Sequence, residues 1–169
     1  LKGKVAVACF ASNVARVDST CRAAEEAGRS VCLVGRSMHR ITAAAKSVGL
    51  LKGVTFITEG DANQMPDDQV LYLCTGSQGE PRAALSRIAE GTHPHVKLSG
   101  GDSCIFSSRV IPGNEIGIRN LQNKLADRGV RLYTDRDHPG IHVSGHPCRD
   151  ELAQMYQWAR PKIAIPTHG

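Results

Sequence analysis

The stretch VAVACFASNVARVDSTCRAAEEAGRSVCLV, residues 5–34, decides the fold. It opens on an unbroken apolar run, expected as a strand buried on both faces over 5–10. The spacing then changes: Val14, Val17, Cys21, Ala24 and Ala27 recur at helical intervals, with Ser12 or Asn13 as a cap and Gly28 as a stop. A second apolar run, 31–34, follows at once. Strand, helix and strand within thirty residues is the unit of a parallel sheet, because a parallel neighbour is reached only by a crossover.

Working outward, the unit repeats. A helix is expected over 37–48, ended by Gly49, then a strand over 54–57, a strand over 70–74 and a helix over 81–90 ended by Gly91. Short strands are expected at 96–98 and 104–106. An amphipathic helix over 114–128 should turn Ile118, Leu121 and Leu125 inward, and a strand should follow at 131–133. The charged, turn-rich run 135–140 is the candidate domain boundary, with one domain over 1–139 and a second piece over 140–169. That piece should hold a strand at 141–143, a helix at 147–159 and a strand at 162–165. The fold class is therefore α/β, a parallel sheet with helices on both faces.

Composition limits what such a chain does. It has 169 residues, 41% hydrophobic and 22% charged, enough for one domain with a core plus a fragment. The longest apolar run, 5–11, is far short of the roughly 20 residues of a membrane span, and no signal layout precedes it, so no membrane association is expected. The first residue is Leu1, which fits an excised piece. Cys9, Cys21, Cys32, Cys74, Cys104 and Cys148 lie 12, 11, 42, 30 and 44 positions apart, which is neither zinc-finger nor redox spacing. Four of them sit in apolar runs, where a thiol behaves as a small hydrophobe, so a reducing cytoplasm is the expected location. The net charge of +5 resides in residues 1–60, with nine Lys or Arg against four acids. A lopsided basic surface of that kind attracts polyanions or is simply solvated.

Both standard nucleotide fingerprints fail, because Ala11, Ser12 and Asn13 follow the first strand where glycines are needed, and 75–81 lacks a Gly-Lys-Ser/Thr ending. Other runs carry more. CTGSQGEP, 74–81, leaves a strand and enters a helix, so its backbone N–H groups either meet an anion or make an ordinary turn. FSSRVIPGNE, 106–115, either places Ser107, Ser108 and Arg109 around a phosphate or is a loop in which Asn114 caps the next helix. In IHVSGH, 141–146, the side chains of His142, Ser144 and His146 alternate and would share one face of a strand beside a helix start that favours an anion. His168 ends the run KIAIPTHG, as a metal ligand at a strand end does, but no full ligand set accompanies it. His93 and His95 lack the acid and further His of a metallo-hydrolase run and read as surface loop.

In this order GSQGEP, SSRVIPGNE, HVSGH and PTHG resemble the ribonuclease J family, and 22 residues separate His146 from His168 as in its last two histidine motifs. The resemblance implies a β-CASP domain inserted in a metallo-β-lactamase domain, and a zinc-dependent 5′ to 3′ exoribonuclease and endoribonuclease. By the same resemblance His146 is the general acid at the scissile phosphate, His142 and Ser144 hold that phosphate, and His168 is a zinc ligand in the full-length parent. Ser77, Gln78 and Gly79, with Ser107, Ser108 and Arg109, form RNA-facing loops. The family's His-x-His-x-Asp-His metal run is missing from these residues, so the chain would be the insert plus a returning lactamase segment. Alone it should be inactive and zinc-free. Its partners would be RNA, the missing lactamase half and, through a tail deprived of its usual neighbours, a possible homodimer. The alternative is a self-contained nucleotide- or ligand-binding regulatory α/β domain.

Overall fold

A computed structural model of the chain describes residues 1–165. Five strands, β1 (Val5–Ala8), β2 (Ser30–Val34), β3 (Val70–Cys74), β4 (Ser103–Phe106) and β5 (Arg131–Tyr133), form one all-parallel sheet in the order β2-β3-β1-β4-β5. The helices are α1 (Val14–Glu26), α2 (Arg36–Ser47), the single turn α3 (Glu59–Ala62), α4 (Ala84–Glu90), α5 (Glu115–Asp127) and α6 (Arg149–Ala159). The expected α/β class, a parallel sheet covered on both faces, is what forms.

The sheet's two faces are set by strand alternation. Val5, Val7, Val31, Leu33, Leu71 and Leu73 point to one side, where Val17, Cys21 and Ala24 of α1 and Met38 and Ala45 of α2 close over them. Ala6, Ala8, Cys32, Val34, Tyr72, Cys74, Cys104 and Phe106 point to the other, under Leu85 and Ile88 of α4 and Leu121 and Leu125 of α5. The central strand β1 carries only alanines on the second face, which lets α4 and α5 approach closely. Truncating Leu73 or Leu125, both fully buried, to Ala would cost about 2–5 kcal/mol.

Asn13 caps α1, its side chain accepting from the Arg16 N–H at 3.0 Å, and Gly28 and Gly91 take the left-handed conformation that ends α1 and α4. Four expected strands do not form. The run 54–57 makes one bridge, Ile57 to Cys32; Val54 and Phe56 pack on one face and Ile57 on the other, so it carries the chain round the β2 edge from α2 to α3. In the run 96–98 Val96 and Leu98 are buried and Lys97 is exposed, and it pairs with no strand among the described residues. Runs 141–143 and 162–165 also lack ladder partners. Pro81 precedes α4, which starts three residues later than expected.

Candidate nucleic-acid interface

The carboxyl ends of β3, β1 and β4 lie side by side, so the loops 75–83 and 107–114 meet across the end of β1. Gln78 joins them. Its Nε2 donates to the Arg109 carbonyl at 2.8 Å and to Ser108 Oγ at 3.5 Å, while its Oε1 accepts from the Ile111 N–H at 3.0 Å and from Asn114 Nδ2 at 3.3 Å. Gly79, at φ +74°, lies against the backbone of Gly117 and Ile118, where any Cβ would collide. Ser77, Gln78, Ser107 and Ser108 are all buried, and the Ser77 hydroxyl finds no hydrogen-bond partner among the described residues. Of the six loop residues singled out by sequence, Arg109 is the one whose side chain reaches solvent, 3.8 Å from the Asp135 carboxylate. Asn114 stands at the start of α5 but spends its side chain on Gln78 rather than on a cap.

Ser107 ties this end of the sheet to the histidine run. Its hydroxyl donates to the Ile141 carbonyl at 2.7 Å and accepts from the Arg16 guanidinium at 2.6 Å, and the same guanidinium donates to the Val143 carbonyl at 2.7 Å. The segment thus lies between α1 and β4, over a cavity of about 670 Å³ lined by Val5, Val7, Ala24 and Ile105. The absence of a strand here has a direct cause: two carbonyls that a ladder would use are taken by side chains.

The shared strand face expected for the three motif residues does not exist, and they divide. His142 is half-buried, its Nδ1 out of solvent. Burial, then the Arg16 guanidinium, pushes its imidazole below the usual 6.5, with the Ser107 backbone and Asp135 pulling the other way. Ser144 and His146 are exposed and turn to each other, Ser144 Oγ lying 3.3 Å from His146 Nδ1 and accepting from the His146 N–H at 3.2 Å. The following helix, α6, is capped by Cys148 and carries Asp150 and Glu151 in its first turn, Glu151 accepting from the Cys148 N–H at 2.9 Å. Its start is therefore already supplied with anions. His168 lies outside the described residues.

His93 is buried rather than on the surface. Its Nδ1 accepts from the backbone of Val96 at 3.1 Å and its Nε2 lies 4.0 Å from Glu59; burial pushes its pKa down, which suits a neutral ring that fastens a loop. Among the described residues no group of three or more His, Cys, Asp or Glu comes together to hold a metal. The role of Arg16 escaped sequence reasoning, since nothing local distinguishes a clamping arginine from a solvated one.

The chain is thus an α/β protein with a five-stranded parallel sheet, at whose carboxyl end the SQG and SSR loops and the histidine run are fastened together. Comparison makes it specific. Residues 2–125 match the family model described as ribonuclease J, beta-CASP domain, and residues 138–169 match the Zn-dependent metallo-hydrolase RNA specificity domain. The chain belongs to the ribonuclease J family. The ribonuclease J of Sinorhizobium meliloti is 48% identical over 169 residues, covering 99% of this chain and 30% of that protein. That of Mycolicibacterium smegmatis is 43% identical over 170 residues, again 99% and 30%, and that of Synechocystis 41% over 170 residues, 99% and 26%. The chain thus spans less than a third of these relatives. No helix among the described residues is long and apolar enough to cross a membrane.

Proposed function

We propose that this chain is the RNA-binding, substrate-channel part of a ribonuclease J-like enzyme, a zinc-dependent hydrolase acting on RNA in the cytoplasm as 5′ to 3′ exonuclease and as endonuclease. The observation that carries the reading is the fastening of HVSGH to the SSR loop by Ser107 and Arg16, on the same sheet end where Gln78 holds SQG. Three segments of widely separated sequence make one surface. On this reading residues 1–139 are the β-CASP domain and 140–169 the returning segment, a division supported by the gap between the two matched ranges and by the turns over 135–140.

Within that surface His146 is the proton donor at the scissile phosphate, exposed and oriented by Ser144 through Nδ1. Ser144 and His142 hold the phosphate, with Arg16 supplying fixed positive charge behind them. Ser77, Gln78, Gly79, Ser107 and Ser108 act as the packed foundation of the RNA-facing loops, presenting backbone and Arg109 outward. Zinc belongs to the whole protein, where it would supply a nucleophilic hydroxide; His168 is one ligand and the others come from the lactamase half. The isolated chain should therefore hydrolyse no RNA. Decay of 5′-phosphorylated RNA with added zinc or manganese checks this, and turnover that survives purification and disappears in His146→Ala would overturn it.

A further inference from the structure

The crossovers bring Arg36, Arg40, Arg82 and Arg87 to one open cavity of about 1060 Å³ at the carboxyl ends of β2 and β3. It lies on the side of β3 away from β1 and β4, and so away from the HVSGH segment. None of the four guanidinium groups makes a side-chain hydrogen bond or ion pair with the described residues. Two carboxylates, Glu59 and Glu80, line the cavity as well, so four guanidinium groups leave an excess of positive charge there. Glu80 accepts from the Gln78 N–H at 3.0 Å, and Glu59 faces His93 and His95 at 4.0 and 3.9 Å.

Four like charges gathered on one concave surface repel one another, and an anion offsets that repulsion better than water does. A backbone feature points the same way. Gly35, which starts α2 and also lines the cavity, offers no side-chain cap, and the first turn of α2 holds no acid; the Met38 and His39 N–H groups donate to the Gly35 carbonyl, which leaves those of Arg36 and Ser37 for an anion. Arg36 and Arg40 stand four residues apart on that helix and share its face. The lining includes no Phe, Tyr or Trp, and its aromatic rings are the imidazoles of His39 and the buried His93.

We propose that this cavity is a second RNA-contacting site, one that holds backbone phosphates of a single strand by charge and without reading bases. It rests on the RNA-binding reading above and adds to it a place and a mode of contact. The strand that reaches the HVSGH segment would be held a second time across the β2–β3 end of the sheet, which lengthens the interface and makes it insensitive to sequence.

The test is fluorescence anisotropy of labelled oligouridylate and oligoadenylate of equal length with the 169-residue chain across a salt series. Three proteins are compared: the natural chain, Arg36→Gln with Arg82→Gln, and Arg119→Gln with Arg149→Gln, whose residues lie outside the cavity. All four side chains are exposed, so the fold should hold, as circular dichroism verifies. The expected result is equal affinity for the two oligomers and, in the cavity variant only, a salt slope that falls by about 0.7 for each phosphate no longer neutralised. RNA binding with an unchanged slope in that variant overturns the second site and leaves the RNA-binding reading standing. No binding of either oligomer at low salt overturns both. A nucleoside triphosphate that binds through Arg36 and Arg82 while RNA does not would make the cavity a free-nucleotide site and overturn the proposal.

Discussion

Arg16 Nη2 donates to the Val143 carbonyl at 2.7 Å while its Nη1 reaches Ser107 Oγ at 2.6 Å, so one side chain of α1 fixes both the SSR loop and the histidine run. The basic excess of the first sixty residues is thus not uniformly available to RNA. Arg16 is a clamp; Arg36 and Arg40 make no side-chain hydrogen bond or ion pair among the described residues.

Removing that clamp should loosen 141–143 without unfolding the sheet. Arg16→Ala is expected to raise amide exchange at 142–146 while the denaturation midpoint moves little, and Ser107→Ala to cost about 1–2 kcal/mol because a buried partner is removed. Acid should act similarly. The His142 pKa is lowered from 6.5 in the folded state, so its contribution is present above that value and lost as pH falls through the lowered one. Protection of the 142–146 amides, taken relative to their intrinsic exchange at each pH, that stays flat from pH 8 to about 5 would contradict this.

Gln78 is irreplaceable in a particular way. Its Nε2 faces a carbonyl, so Gln78→Glu sets an acceptor against the Arg109 oxygen, and Gln78→Ala leaves the Ile111 N–H unpaired. Each change should cost about 2–3 kcal/mol in urea unfolding, with Glu no better than Ala.

Five of the six thiols are buried, and burial pushes Cys9 and Cys21 up to about 11, Cys32 and Cys104 up to about 12, and Cys74 well above its ordinary range. Cys148 alone is exposed. One thiol should react with a disulfide reagent at pH 8 and five more only on unfolding. Because the folded pKa values lie above the unfolded ones, this stability is complete below the ordinary thiol value of 9.0 and is lost as pH rises toward 11–12.

Helix α6 buries no residue, and Trp158, the chain's single tryptophan, is 77% exposed with Met155 and Tyr156 nearby. That face calls for a partner. In the dilute isolated chain Trp158 emission should be that of a solvated indole, and it should shift to the blue when the lactamase half is supplied or when a homodimer forms at high concentration. Emission that stays solvated in the whole protein would show that α6 packs on neither.

Much of the fold was legible because β1, α1 and β2 announce themselves by period alone. What was not legible concerns which sheet edges are open. The runs 54–57, 96–98, 141–143 and 162–165 have strand composition, yet whether an edge is open to them depends on the order β2-β3-β1-β4-β5, which no local pattern encodes. The site divides in the same way. The motifs GSQGEP, SSR and HVSGH stand out by residue type, but sequence cannot say that Gln78 and Ser107 turn inward and Arg109 outward. The ring of Arg36, Arg40, Arg82 and Arg87 is spread over 52 positions and exists only after two crossovers.

The central claim is that HVSGH supplies the proton donor of a zinc-dependent ribonuclease. Its most direct test is steady-state turnover of 5′-phosphorylated RNA by the whole parent protein, with metal content measured on the same samples, for His146→Ala and His168→Ala. The account predicts a fall of about 100-fold or more for His146→Ala with full metal content, and loss of metal for His168→Ala. Undiminished turnover in His146→Ala, or equal loss of metal from both variants, would contradict it.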